Sequence, residues 1–149
     1  MMDSLQELYQ EVILDHNRRP RNFRAIADAT RQEGYNPLCG DRLVVYVTVA
    51  DGVVADVAFE GAGCAISKAS ASLMTEALRG KPVAAARQLF ADFQAMITSP
   101  PTEPARDLGK LTALAGVREF PTRVKCASLA WHAVNAALQG AAPVPVSTE

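Results

Sequence analysis

The chain is short of paired cysteines, of net charge and of long apolar runs, and each shortage removes a class of function. Three cysteines in 149 residues is an odd number, which speaks against the disulfide framework of a small secreted domain. With 15 Lys+Arg against 16 Asp+Glu and a formal net charge of -1, there is no electrostatic footprint for nucleic acid. No apolar run approaches the roughly 18 to 20 residues of a membrane helix. Neither GxxxxGK[ST] nor GxGxxG is present, so nucleotide chemistry is not indicated. The opening stretch MMDSLQELYQEVILDHNRRP mixes charges into its apolar positions and lacks a basic start followed by an apolar block. The expectation is an unexported, cytoplasmic chain whose cysteines are thiols or metal ligands. A chain of this length buries about 70% of the surface its unfolded form exposes. A metal is therefore not required for folding, and any metal present serves function first.

What is there is a sequence that is 49% apolar and 21% charged, typical of one globular domain. Leu5, Leu8, Tyr9, Val12 and Ile13 fall on one helical face, with Ser4 and Glu7 as a capping box before them, and the helix should stop by Asn17. Ala25 to Gly34 alternates weakly, as a short edge strand does. Leu43 to Val49 and Val53 to Phe59, joined by Asp51-Gly52, predict an antiparallel hairpin with one partly wet face. Helices follow over Ala65 to about Arg79 and Val83 to about Ile97. Residues 98 to 121 hold four prolines and two glycines around a short apolar piece, so a loop carrying one short helix is expected. A last helix from Arg123 to about Gln139, with Thr122 as N-cap, completes one domain over residues 1–140, and residues 141–149 read as a flexible tail. The fold class is α+β, a small antiparallel sheet of about three strands with helices packed on one face.

The chemistry lies in the cysteines. Cys39 and Asp41 bracket Gly40 just before the hairpin, and Cys64 follows Gly61-Ala62-Gly63 just after it, so both loops lie at the same end of the sheet. Cys64 and Cys126 each stand near a helix start, where the dipole and unpaired N–H groups favour a thiolate. If the last helix reaches the same end, three sulfurs and one carboxylate make four donors, the number a tetrahedral zinc site takes. Such a set with a divalent cation carries charge -2, and Arg123 and Lys125 are the nearby cations in sequence. Taken singly, each cysteine is read equally well as a buried core residue. His16 at a helix end reads as a cap on carbonyls or as a partner contact, His132 as a surface or boundary residue, and Ser67-Lys68-Ala69-Ser70 as a helix face with no nucleophile.

Asp15-His16, Pro20-Arg21-Asn22, Asn36-Pro37-Leu38-Cys39-Gly40-Asp41, Gly61-Ala62-Gly63-Cys64-Ala65-Ile66-Ser67 and Arg123-Val124-Lys125-Cys126-Ala127-Ser128 together resemble the NifU/IscU superfamily of iron-sulfur cluster assembly proteins. The resemblance runs from about residue 4 to 139 and is nearer to the SufU branch. A typical IscU scaffold has a histidine where this chain has Lys125, and the proline-rich excursion resembles the SufU insertion. It implies an IscU/SufE-like fold, zinc held by Cys39, Asp41, Cys64 and Cys126, and a pyridoxal-phosphate-dependent cysteine desulfurase of SufS type as partner, with a downstream sulfur or cluster acceptor. It implies further that Cys39 leaves zinc to accept sulfur and that Arg123 steadies the rearrangement by pairing with Asp41 or the released thiolate. Lysine, protonated at neutral pH, is a poor metal ligand, which favours zinc over a transient cluster.

Three readings remain open on the sequence: a zinc-dependent sulfurtransferase, a scaffold for a [2Fe-2S] cluster ligated by the same residues, and a structural zinc domain used only for docking.

Overall fold

The computed structural model describes the backbone of residues 2–140 and 146–147, and the side chains from Tyr9 onward within those limits. In chain order the elements are α1 (Met2–Arg18), β1 (Thr30–Asn36), β2 (Asp41–Ala50), β3 (Val53–Ala62), α2 (Ala65–Leu78), α3 (Val83–Thr98), a 3-10 helix (Gly109–Glu119), α4 (Pro121–Leu138) and β4 (Val146–Ser147).

The hairpin follows from its turn. Asp51 and Gly52 have φ of 53° and 75°, the left-handed pair that matches the twist of antiparallel strands, and β2 and β3 pair from Arg42↔Ala62 to Ala50↔Val53. β1 adds to the other side of β2, antiparallel, from Thr30↔Val47 to Asn36↔Asp41. The sheet has four strands in the order β3-β2-β1-β4, not about three. The extra one is the two-residue β4, parallel to β1 at Gly34 and Tyr35, too short to announce itself in sequence. The expected flexible tail otherwise lies outside the described residues. β1 itself begins at Thr30, five residues later than the alternation suggested.

Strand alternation separates the faces. Leu43, Val45 and Val47 of β2 are buried, whereas Val44, Tyr46 and Thr48 between them are half-buried. The wetter face carries polar pairs: Tyr46 donates to Glu60 at 2.8 Å, and the Arg42 guanidinium lies 4.6 Å from the Tyr35 ring centre. α4 crosses the dry face closely because β1 has glycine at position 34, where an added Cβ would meet Leu129 at 3.1 Å. Trp131 of α4 stacks on Phe93 of α3 at 4.4 Å, and with Leu43, Phe59, Met74 and Leu114 it forms the core. The wet edge of β3 is covered by residues 22–24, whose backbone exchanges hydrogen bonds with Phe59.

Two ends differ from expectation. α1 begins at Met2, ahead of Ser4, so the Ser4/Glu7 box lies within the helix and is not its start; its end at Arg18 is one residue past the expected stop. α4 begins with Pro121 at its first position and Phe120 as N-cap, so Thr122 and Arg123 lie inside it.

His16 is neither a carbonyl cap nor a partner contact. It is 1% exposed, its Nδ1 is 2.7 Å from Ser72 Oγ on α2, and its Nε2 is 3.5 Å from Glu76 Oε1. Ser72 Oγ also accepts from the Arg21 backbone N–H at 2.8 Å, and Asn22 donates to Thr75 Oγ1 at 3.1 Å, so the segment after α1 is pinned along α2. Burial, with the Arg21 charge beside it, lowers the His16 pKa below its ordinary value despite Glu76 and Asp15. Burial likewise lowers His132, which packs edge-on against Phe90 at 5.2 Å as a boundary residue.

A histidine whose folded pKa lies below its unfolded value binds its proton first in the unfolded chain as pH falls. Stability is therefore full above about pH 6.5 and declines below it, by at most about 1.4 kcal/mol per pH unit for each histidine. Urea unfolding at pH 7.5 and 5.5 should show the decline, and His16→Gln should reduce it, with His132→Gln reducing it further. An unchanged slope in both variants would contradict the account of the buried imidazoles.

Candidate metal centre

Asn36 closes β1 and shapes the turn that follows. It is fully buried; its backbone oxygen accepts from Gly40 N–H at 2.8 Å and its side-chain oxygen from Leu38 N–H at 3.1 Å. Gly40 takes φ of 73°, a conformation that costs glycine little. The turn exposes Cys39 and then delivers Asp41, 1% exposed, as the first residue of β2.

The end of β3 approaches from the other side, as the hairpin requires. Cys64 is the N-cap of α2: its Sγ accepts from Ser67 N–H at 3.4 Å, and its own N–H donates to Asp41 Oδ1 at 2.8 Å. Its Sγ is 3.7 Å from Asp41 Oδ2. Gly63 permits this approach, since a Cβ there would stand 2.9 Å from Asp41 Oδ1.

α4 supplies the third thiol. Cys126 is 3% exposed, its Sγ lies 3.2 Å from Cys39 Sγ, and Asn36 Nδ2 donates toward it at 3.8 Å. Because α4 starts at Pro121, Cys126 sits in the second turn and not the first, so the dipole of that helix favours its thiolate less than expected. Donor atoms of Cys39, Asp41 and Cys126 all lie within 4.8 Å of one another, and Cys64 joins them through Asp41. Of the four expected ligand residues, Cys39, Asp41 and Cys126 converge, and Cys64 lies beside the group in contact with Asp41.

Burial, reinforced by Cys39, Asp41 and Cys64, pushes the Cys126 thiol well above its usual pKa. A cation placed among these groups inverts that logic, because a coordinating thiol is deprotonated outright. The donor set fits zinc: three sulfurs and one carboxylate, with Asp41 Oδ1 already taken by the Cys64 N–H and Oδ2 3.7 Å from the Cys64 sulfur. The same soft donors also suit iron-sulfur chemistry.

Arg123 is not part of this cluster. Its guanidinium lies 5.6 Å from the Phe120 ring centre, along a groove of about 340 Å³ that Ile66 and Glu119 also line. Among the described residues it forms no ion pair with Asp41, because it leaves an exposed early turn of α4 on the side of Phe120. Lys125 is half-buried beside Cys126. Sequence reasoning passed over Asn36, whose signal is an Asx-type residue opening the Pro37-Leu38-Cys39-Gly40 turn, and Gly63, whose missing side chain leaves room for the carboxylate. Ser67 and Ser70 lie on α2, as the helix-face reading has it, and both are fully buried.

An α+β domain with three thiols and a buried carboxylate gathered beside its first turn defines the class. Residues 8–127 match the NifU-like N-terminal domain, and the chain belongs to that family. It is 41% identical over 132 residues to the zinc-dependent sulfurtransferase SufU of Bacillus subtilis (strain 168), covering 89% of this chain and 90% of the relative. It is 36% identical over 141 residues to the iron-sulfur cluster assembly scaffold protein IscU of Streptococcus pyogenes serotype M1, covering 95% and 89%. Among solved structures, a candidate iron-sulfur cluster assembly scaffold protein for the SUF system from Fervidobacterium islandicum AW-1 superposes with a TM-score of 0.80 at 32% identity, over 89% of this chain and 98% of that one. No described helix is long and apolar enough to cross a membrane.

Gly63→Ala should push the Asp41 carboxylate from its place, since the new Cβ meets the carboxylate oxygen and not backbone. Calorimetric titration with Zn²⁺ should show affinity reduced by about tenfold or more, and the metal-free protein should melt at a lower temperature because the Cys64 N–H···Asp41 bond is disturbed. Unaltered affinity would contradict the placement of Asp41 in the site.

Proposed function

We propose that the chain is a zinc-dependent sulfurtransferase of iron-sulfur cluster assembly, in which Cys39 takes sulfur from the persulfide of a pyridoxal-phosphate-dependent cysteine desulfurase and passes it to a downstream acceptor. Cys39, Asp41, Cys64 and Cys126 would hold the zinc. When bound, zinc supplies a charge that keeps thiolates deprotonated at neutral pH and brings no redox chemistry of its own.

One observation carries the choice of Cys39. Cys39 and Cys64 are both exposed, but the Cys64 sulfur caps α2 and that of Cys126 is buried and faces Asn36, whereas Cys39 sits on a turn with, among the described residues, only the Cys126 sulfur as hydrogen-bond partner. It is the ligand that can leave without disturbing a helix or the core. The transfer itself is thiolate exchange: the Cys39 thiolate attacks the terminal sulfur of the donor persulfide, a new S–S bond forms on Cys39, the donor S–S bond breaks, and the donor cysteine departs as thiolate. No net oxidation occurs. Arg123 is the cation assigned to the released thiolate or to Asp41, reached by swinging from its position over Phe120. Leu38, 62% exposed beside Cys39, and Phe120, 54% exposed at the start of α4, offer apolar contact to a partner. His16, buried under α2, is not part of such a surface.

The similarity to the sulfurtransferase SufU and the lysine at position 125 support this reading. The similarity to IscU supports a second, a scaffold on which a [2Fe-2S] cluster is assembled on the same ligands. Metal analysis of the purified protein, followed by mass-spectrometric mapping after incubation with desulfurase and cysteine, separates them. The sulfurtransferase reading expects colourless protein with about one zinc per chain and extra sulfur on Cys39. It also expects desulfurase turnover to fall to its unassisted rate with Cys39→Ala. Sulfur mainly on Cys126 would overturn the role of Cys39, and a stable brown form able to transfer its cluster would favour the scaffold.

A further inference from the structure

We propose that Ser67 is a positioning residue of the metal centre: its hydroxyl, unpartnered in the metal-free protein, turns when the metal binds to donate a hydrogen bond to the Asp41 carboxylate, so that one oxygen is held back and the other is presented to the metal. This rests on the reading that Cys39, Asp41, Cys64 and Cys126 hold zinc. Ser67 is fully buried, and its Oγ has no hydrogen-bond partner among the described residues. A buried hydroxyl with its hydrogen bond unmade is disfavoured, so its retention calls for a reason.

The reason lies in how α2 begins. Ser67 is the third residue of the helix after the Cys64 cap, the place whose side chain ordinarily reaches back to the N–H of the capping residue. Here that N–H donates to Asp41 Oδ1 instead, at 2.8 Å, so the carboxylate has taken over the partner that the Ser67 side chain would have had. The hydroxyl is left at the same corner. A Cβ built on Gly63 would lie 2.9 Å from Asp41 Oδ1 and 3.2 Å from Ser67 Oγ, which sets both oxygens around one small space that only a glycine leaves open. A carboxylate only accepts, and a serine hydroxyl can donate, so the two are complementary. The Ser67 backbone N–H meanwhile holds Cys64 Sγ, which places this residue behind two of the four ligands. Partners of this kind fix the orientation of ligating carboxylates.

Ser67→Ala tests the assignment through zinc affinity, measured by competition with a chromophoric chelator, and through the melting temperature of the metal-free protein. Affinity should fall about tenfold to a hundredfold while the metal-free protein melts at the same temperature or higher, because an unpartnered polar atom has been removed. The visible spectrum of the Co²⁺ form should shift as the carboxylate reorients. Should alanine prevent folding, the isosteric pair Ser67→Thr and Ser67→Val isolates the hydroxyl, and threonine should bind zinc about tenfold more tightly than valine. Affinity within twofold of the wild type, or equal in the isosteric pair, would overturn the proposal while zinc binding itself stands. Wild-type protein that takes up no zinc would instead remove the underlying reading, and this proposal with it.

Discussion

The arrangement depends on one buried carboxylate. Asp41 is 1% exposed at the first position of a central strand, and a carboxylate so placed is tolerated only if its oxygens are hydrogen-bonded or face a cation. One oxygen receives the Cys64 N–H, which ties the start of β2 to the start of α2; the other lies 3.7 Å from the Cys64 sulfur. That single bond joins the two chain crossings that carry Cys39 and Cys64. The glycine at position 63 is the steric condition for it.

The fold provides the rest by topology. A hairpin returns its second strand to the level where the first began, so the β1–β2 turn and the β3–α2 junction must be neighbours. α4, packed onto β1 through Leu129 and Ala133 against Gly34, then brings Cys126 within 3.2 Å of a cysteine 87 residues earlier. A stack of apolar contacts distant from the chemistry thereby sets the separation of two sulfurs. The centre combines one sulfur on an exposed turn with three groups tied to a strand, a helix cap and the core. This asymmetry suits a site that must release one ligand and keep the others.

Much of this was legible in the sequence because it is written in local chemistry. Asp51-Gly52 fixes the hairpin through two left-handed residues, and Gly80 with Pro82 separates α2 from α3. The glycine-flanked positions of Cys39 and Cys64 put both at loop ends, and the hairpin put the loops together. What sequence concealed depends on tertiary contact. His16 continues the stripe of Val12 and Ile13 by one helical turn, a signal of burial that its position at a helix end obscured, and only Ser72 across the interface explains why an imidazole is acceptable there. Pro121 at the first position of α4 was readable as a start signal, yet the proline-rich stretch before it read as loop. The two-residue β4 has no periodicity to detect. The orientation of Arg123 follows from Phe120 and the adjoining groove, whereas the family resemblance pointed to a pairing with Asp41 or the released thiolate.

The central claim is that three sulfurs and one carboxylate oxygen form a single zinc-binding set. X-ray absorption at the zinc edge of the loaded protein tests it most directly, since sulfur and oxygen shells separate by distance. The account predicts three sulfurs at about 2.3 Å and one oxygen at about 2.0 to 2.2 Å, with the oxygen shell altered when Asp41 is replaced by alanine. A first shell with fewer than three sulfurs, or one unaffected by the loss of Asp41, would contradict it.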